Sequence, residues 1–129
     1  MNIRAFDKTN DYELISKWWN SHNHAILPID MIPVGVIIEK DSTPLCASFL
    51  YDLAGTNTSM ILWTVSNKNI NKREIHKAIT LATDTLVNYA KATGKEYIMS
   101  FVKSKGLTKI YNKKGFITGE PHNFLMGGL

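Results

Sequence analysis

Hydrophobic residues recur along this chain in two rhythms, and the switches between them mark its elements. Ile75, Ala78, Ile79, Ala82, Leu86 and Tyr89 follow one another at helical spacing, which predicts an amphipathic helix from about Lys72 to Ala92. Asn71 with Glu74 is a start signal for it and Gly94 a stop. Leu45, Ala47, Phe49, Tyr51 and Leu53 instead alternate at period two, the pattern of a half-buried strand. Before them, the β-branched run Val36, Ile37, Ile38 predicts a strand over Val34 to Lys40, and Asp41-Ser42-Thr43-Pro44 is the turn between the two. After them, past a turn at Gly55 to Thr58, Ser59 to Val65 is nearly all apolar, as suits a central strand covered on both faces. Connections this short make the three strands antiparallel neighbours.

The flanks are read in the same way. Asn2 to Asp7 can form a short strand, and Asn10 with Glu13 resembles a capping box opening a helix through about His22, with Leu14, Ile15, Trp18 and Trp19 on one face. Ser21 to Pro33 carries two prolines and no sustained period, which predicts a loop or a broken short helix. Beyond the long helix, KEYIMSFV is a strand. A short helix follows with Leu107, Ile110 and Tyr111 on one side and Gly115 at its end, and the tail from Phe116 can add one or two final strands. The long helix is a crossover, so the strands at Ser59 and Glu96 are parallel if they share a sheet.

With 129 residues, 44% of them hydrophobic, and no repeat or linker, residues 1–129 are expected to form one domain around one core. No run approaches the roughly 18 apolar residues of a membrane span, and the polar opening MNIRAFDKTNDYE lacks the apolar run of a secretory signal, so a soluble cytoplasmic protein is expected. Cys46 is the only cysteine, too few for an internal disulfide, a zinc ribbon or an iron-sulfur cluster, and reads as a small buried residue of a strand. Fifteen Lys and Arg against eleven Asp and Glu suggest an anionic partner, a nucleic acid or a phosphorylated cofactor. The cations cluster: Lys68, Lys72, Arg73 and Lys77 flank one loop, and Lys103, Lys105, Lys109, Lys113 and Lys114 another. His22 and His24, on either side of Asn23, border a binding cleft or lie on loop surface, and no metal site is expected.

The order strand, helix, three strands, helix, strand, helix, strand resembles the GNAT acetyltransferase superfamily from end to end. Residues 106 to 116, GLTKIYNKKGF, look like the family's C-terminal motif of an aliphatic residue, a Tyr, a few polar residues and Gly-Phe. The hairpin FLYDLAGTNTSMILWTVSN is similar to the family's third and fourth strands, and its wording to that of small phage-encoded members, whose place is the host cytoplasm. The resemblance implies a GNAT-like α/β fold: a mixed, mostly antiparallel sheet of six to seven strands, helices on both faces, and a parallel pair splayed at its C-terminal ends. Acyl-CoA would lie in that splay, its pantetheine arm paired like an extra strand with Trp63, Thr64 and Val65. Its pyrophosphate would rest on the loop from Ser66 to Glu74, where the first N–H groups of a helix lack internal partners. The residues implied there are Lys68, Asn71, Lys72, Arg73, Glu74, Ile75, His76 and Lys77.

Family members usually carry RxxGxG or RxxGxA at this loop, because glycines let the backbone approach phosphates closely. This chain reads NINKREIHKA and has no glycine between Gly55 and Gly94, so Glu74 and His76 stand in the glycine slots. Glu74 is expected to serve as the capping partner of Asn71. Tyr111 occupies the position of a Tyr that gives a proton to the departing CoA thiolate. For the base, Glu39, Asp52 and His76 are candidates. The resemblance implies an acyl-CoA-dependent N-acyltransferase that moves an acetyl group from acetyl-CoA to an unidentified amine by direct attack, without a metal. The glycine-free loop leaves open a catalytically inactive GNAT-like binding or virion-associated module, and the basic loops a nucleic-acid-binding or nucleobase-modifying protein.

Overall fold

The computed structural model describes residues 1–128. Its elements are β1 (Asn2–Ala5), α1 (Lys8–Ser21), a 3-10 turn (Ile29–Met31), β2 (Val34–Lys40), β3 (Thr43–Leu53), β4 (Thr58–Ser66), α2 (Lys72–Ala92), β5 (Tyr97–Ser100) and α3 (Lys105–Lys113). The strands lie side by side in chain order, antiparallel from β1 to β4, with β5 parallel to β4. No described helix is long and apolar enough to cross a membrane.

Five strands among the described residues replace the six or seven expected, because the tail after α3 forms none. Gly119, Pro121, Gly127 and Gly128 interrupt it, and such residues weaken or withhold ladder bonds. Aromatic contacts hold the tail instead: Phe116 stacks on Tyr111 at 5.0 Å between ring centres, and Phe124 stands edge-on to Trp63 at 4.9 Å. The first helix also begins earlier than its apparent capping box. Asp7 is the N-cap, its carboxylate accepting from the Thr9 N–H at 3.0 Å and from Asn10 Nδ2 at 2.7 Å, so Asn10 lies inside the helix.

Alternation along the strands separates two apolar layers. On one face α1 buries Ile15, Trp18 and Trp19 against Ile37, Ala47, Phe49 and Val65. On the other, α2 and α3 bury Ala78, Ala82, Leu86, Ile110 and Tyr111 against Ile38, Cys46, Leu50 and Ile61. The helices thus cover both faces of the sheet, and Cys46 is fully buried, its thiol pushed up to about 12 mainly by burial. Gly35 is needed for the first layer, since a Cβ there would meet Phe49 Cδ1 at 2.5 Å and the Ser48 carbonyl at 2.7 Å. Its absence lets the Phe49 ring sit between Phe6 and Trp19, at 5.1 and 6.1 Å between centres.

One ionic knot joins β1, α1 and β2. The Arg4 guanidinium donates two bonds to the buried Asp11 carboxylate, at 2.7 and 2.8 Å, and its Nε lies 3.1 Å from Glu39. Asp11 also accepts from the Asp7 N–H at 2.8 Å. The Arg4 bonds hold the Asp11 carboxyl below the usual carboxylate range, against the opposing effect of its burial. A lowered folded-state pKa stabilises the fold above the unfolded value of about 3.9, and that contribution disappears as pH falls through the folded value. Asp11→Asn is therefore expected to lower the unfolding temperature at pH 7 and to flatten its decline below about pH 4. Melting curves of both proteins from pH 7 to pH 2 check this, and parallel pH profiles would refute it.

Candidate functional site

The pairing of β4 with β5 runs only from Thr58 opposite Tyr97 to Ile61 opposite Ser100. Beyond it β4 continues to Ser66 with no strand on that side among the described residues, while the Ser100 hydroxyl ties the end of β5 to the Ile61 carbonyl. The other side of β4 is irregular at the same height. Ala47 faces Val65 and Phe49 faces Leu62, so two steps of β3 oppose three of β4, and Trp63 at the bulge has φ 61°. A left-handed backbone at a bulky residue costs roughly 1–3 kcal/mol and is held by its surroundings. Here Trp19 Nε1 donates to the Trp63 carbonyl at 3.3 Å, and the Trp63 ring packs with the α1 layer.

The bulge changes which face each following side chain takes. Leu62, opposite Phe49, and Trp63 both lie on the α1 side, so Thr64 turns to the α2 and α3 side. There the Thr64 hydroxyl meets Ser48 Oγ at 2.7 Å and the Tyr111 hydroxyl at 3.3 Å.

A cleft of about 620 Å³ opens past the splay. Thr64, Val65 and Ser66 form its floor; Lys72, Ile75, His76 and Ile79 of α2 form one wall, and Ser104, Gly106, Leu107 and Ile110 the other. His22 and His24, just after α1, complete the rim. No described carboxylate lines it. The loop into α2 is built on asparagine: the Asn67 carbonyl accepts from the Ile70 N–H at 3.2 Å, its side chain accepts from the Asn69 N–H at 3.0 Å, and its Nδ2 donates to the Pro44 carbonyl at 3.2 Å. No residue from 67 to 71 has a positive φ, so this turn needs no glycine. Asn71 caps α2 by accepting from the Glu74 N–H at 2.9 Å. The Lys72 and Arg73 N–H groups, in the first turn, have no carbonyl to bond within the helix.

Of the residues expected around a cofactor, Thr64, Val65, Lys68, Lys72, Ile75 and His76 line the cleft. Trp63, Asn71, Arg73, Glu74 and Lys77 do not. Trp63 is turned away by the bulge, Asn71 is committed to the cap, and Arg73 is exposed off the wall. Glu74 does not reach back to the Asn71 N–H as a capping box would. Its carboxylate lies 3.1 Å from Lys40 Nζ on β2 and 4.0 Å from Lys77, and Lys40 above all holds it below the usual range. Two of the candidate bases are likewise engaged elsewhere: Glu39 pairs with Arg4, and Asp52 accepts from Ser59 at the far end of β4.

Tyr111 is 3% exposed and stacks on Phe116. It stands behind Thr64, between this cleft and a second groove of about 1040 Å³ bounded by α2, β5, α3 and the tail. Burial raises its phenol above the ordinary value, opposed by the hydroxyls of Thr64, Ser100 and Thr83. Ser48, Thr83 and Ser100 escaped sequence reading, and the available signal was only a hydroxyl in an otherwise apolar run. His22 is fixed across the rim, its Nε2 lying 3.0 Å from the Ser66 carbonyl, with His24 stacked on it at 5.9 Å. Tyr111→Ala is expected to cost roughly 3 kcal/mol or more in stability. Tyr111→Phe keeps the ring and loses one bond, so roughly 1 kcal/mol is expected. Chemical unfolding measures both, and equal losses would show that the hydroxyl network, not the ring, carries the packing.

No family model matches the chain, and no curated protein matches it in sequence. Solved structures do. An N-acetyltransferase from Staphylococcus aureus Mu50 superposes with a TM-score of 0.71 at 16% identity, over 89% of this chain and 82% of that one. A predicted acetyltransferase from Clostridium acetobutylicum, solved with acetyl-CoA, gives 0.66 at 20% identity over 97% and 95%. A ribosomal-protein-alanine N-acetyltransferase from Brucella melitensis biovar Abortus 2308 gives 0.69 at 12% identity over 99% and 100%. These three come from bacteria and lend the phage resemblance no support. What the chain shares with them, at such identities, is the fold of GNAT acetyltransferases.

Proposed function

We propose that this protein is an acyl-CoA-dependent N-acyltransferase that moves an acetyl group from acetyl-CoA to an amine by direct attack. The observation that carries the proposal is the end of β4–β5 pairing at Ile61 and Ser100, which opens a cleft leading to the start of α2. Backbone groups of β4 beyond Ile61, apart from the Trp63 and Ser66 carbonyls that Trp19 and His22 hold, can pair on that side with the amides of a pantetheine arm, as in strand addition. Lys68, Lys72 and the unbonded N–H groups of the first turn of α2 suit a pyrophosphate. A protein of the same fold solved with acetyl-CoA supports the same co-substrate here.

In the reaction, the amine nitrogen attacks the thioester carbonyl carbon, the C–S bond breaks, the nitrogen's proton passes to solvent in the open cleft, and the CoA thiolate takes one from a donor that solvent reprotonates. Tyr111 is the proposed proton donor, acting through the Thr64 hydroxyl it touches. Burial raises the pKa of its phenol, which makes it a weaker proton donor and limits the rate gain expected from it. A second reading, a binding module of this fold without the reaction, is favoured by one observation: Tyr111 is almost fully enclosed.

Calorimetric titration with acetyl-CoA separates the two. Binding is expected in the parent protein, and its absence would overturn the acyltransferase proposal. Lys68→Ala with Lys72→Ala should weaken binding by roughly tenfold or more, since charge-assisted contacts are worth about 1.5–3 kcal/mol each. Arg73→Ala, off the cleft wall, should leave it unchanged. With an amine that turns over, Tyr111→Phe is expected to lower kcat by roughly 10²-fold or less, at nearly constant acetyl-CoA affinity. Full turnover in that variant would remove Tyr111 from the chemistry.

A further inference from the structure

Three of the four histidines in the chain line one cleft, so the imidazoles are concentrated where the ligand is expected. They come from two places far apart in sequence: His22 and His24 follow α1, and His76 lies on the second turn of α2. Nothing in the core requires them there, since His24 and His76 are exposed and His22 is half-buried. His22 is the most constrained. Its Nε2 faces the Ser66 carbonyl at 3.0 Å, and a carbonyl can only accept, so Nε2 carries the proton. The Asn67 N–H bonds to β3 at the Leu45 carbonyl, so by strand alternation Ser66 directs its carbonyl away from β3, to the open side of β4. His22 therefore sits over the opening itself.

The charges around these rings are of one sign. His22 and His24 face each other, Lys68 crosses to the Ser21 carbonyl at 3.0 Å beside them, and Lys103 acts on His24 from beyond β5. His76 has Lys72 one turn before it on α2, with Arg73 and Lys77 on the same helix. Across the cleft α3 offers Ser104 and Gly106, and the one nearby acid, Glu74, is held by Lys40. Such a group of like charges repels itself when empty and is relieved by a polyanion.

We propose that His22, His24 and His76 form, with Lys68 and Lys72, an imidazole-rich site for the pyrophosphate of acyl-CoA, in which binding the ligand protonates the rings. This deepens the acyltransferase proposal and rests on it. The rings add side-chain donors to the unbonded N–H groups of the first turn, in a loop where larger residues stand in place of the glycines of RxxGxG. The linkage has a definite sign. Burial, His22 and Lys103 lower the His24 pKa in the free protein. A neighbouring pyrophosphate favours the charged form of an imidazole, so protons are taken up on binding and affinity increases as pH falls.

The test uses the full chain and dephospho-CoA, whose pyrophosphate diester stays fully ionised through the neutral range, so that any pH dependence belongs to the protein. Calorimetry in two buffers of different ionisation enthalpy counts the protons exchanged. Net uptake is expected near pH 6.5 to 7, with affinity rising by up to about tenfold per pH unit for each proton taken up. The triple variant His22→Gln, His24→Gln, His76→Gln should lose both the uptake and the pH slope, and its melting temperature reports whether it is folded. The parent measurement stands without the variant. Binding without proton uptake, or uptake unchanged in a folded triple variant, would overturn this inference and leave the acyltransferase proposal intact. No binding of dephospho-CoA or acetyl-CoA at any pH would overturn both.

Discussion

The extra residue in β4 is the constraint on which the candidate site depends. A regular β4 would send Trp63 toward α2 and Thr64 toward α1, and the hydroxyl pair formed by Thr64 and Tyr111 could not exist. The bulge is held by ordinary contacts around an unfavourable backbone: the Trp19 bond to the Trp63 carbonyl, the apolar layer under α1, and Phe124 from the tail. It lies on the stretch where β4 has lost β5 as a neighbour. A strained residue beside an unpaired strand end is a feature that folding alone would not favour, and its position beside a lined cleft argues for use.

Charge is arranged with the same economy of position. The loop that opens α2 contains a glutamate where an anion would be repelled, but Lys40 on a neighbouring strand draws that carboxylate out of the cleft. What faces the opening is then basic and imidazole-rich. The Arg4, Asp11 and Glu39 knot at the opposite edge of the sheet has another task, fixing the start of α1 against β1 and β2. Because α1 ends at the two rim histidines, that knot also sets where they begin.

Much of the fold was legible because local periodicity matched tertiary layers. The span of α2 from Lys72 to Ala92, the three antiparallel strands before it and the parallel pair after it all followed from spacing and connection length. The start of α1 was misplaced because Asp7 and Asn10 are both competent caps, and only packing chose between them. The one or two final strands were expected in a tail whose glycines and proline break it up and whose aromatics found other partners.

The amino-acid sequence by itself determined the elements from β1 to α3, their order and the crossover, since these depend on neighbours within a few residues. It also determined that a basic, glycine-free loop opens the long helix. The tertiary structure alone decided which of those loop residues face the cleft. Glu74 turns away because Lys40, distant in sequence, pairs with it, and Lys77 lies 4.0 Å from the same carboxylate, while His22 and His24 arrive because α1 ends against Ser66. It alone placed the bulge, because an added residue leaves the apolar content of SMILWTV unchanged and shows itself only in the register with β3. Side-chain direction in a strand has a period of two, so one residue of register reverses every assignment beyond it, and no local pattern records that shift.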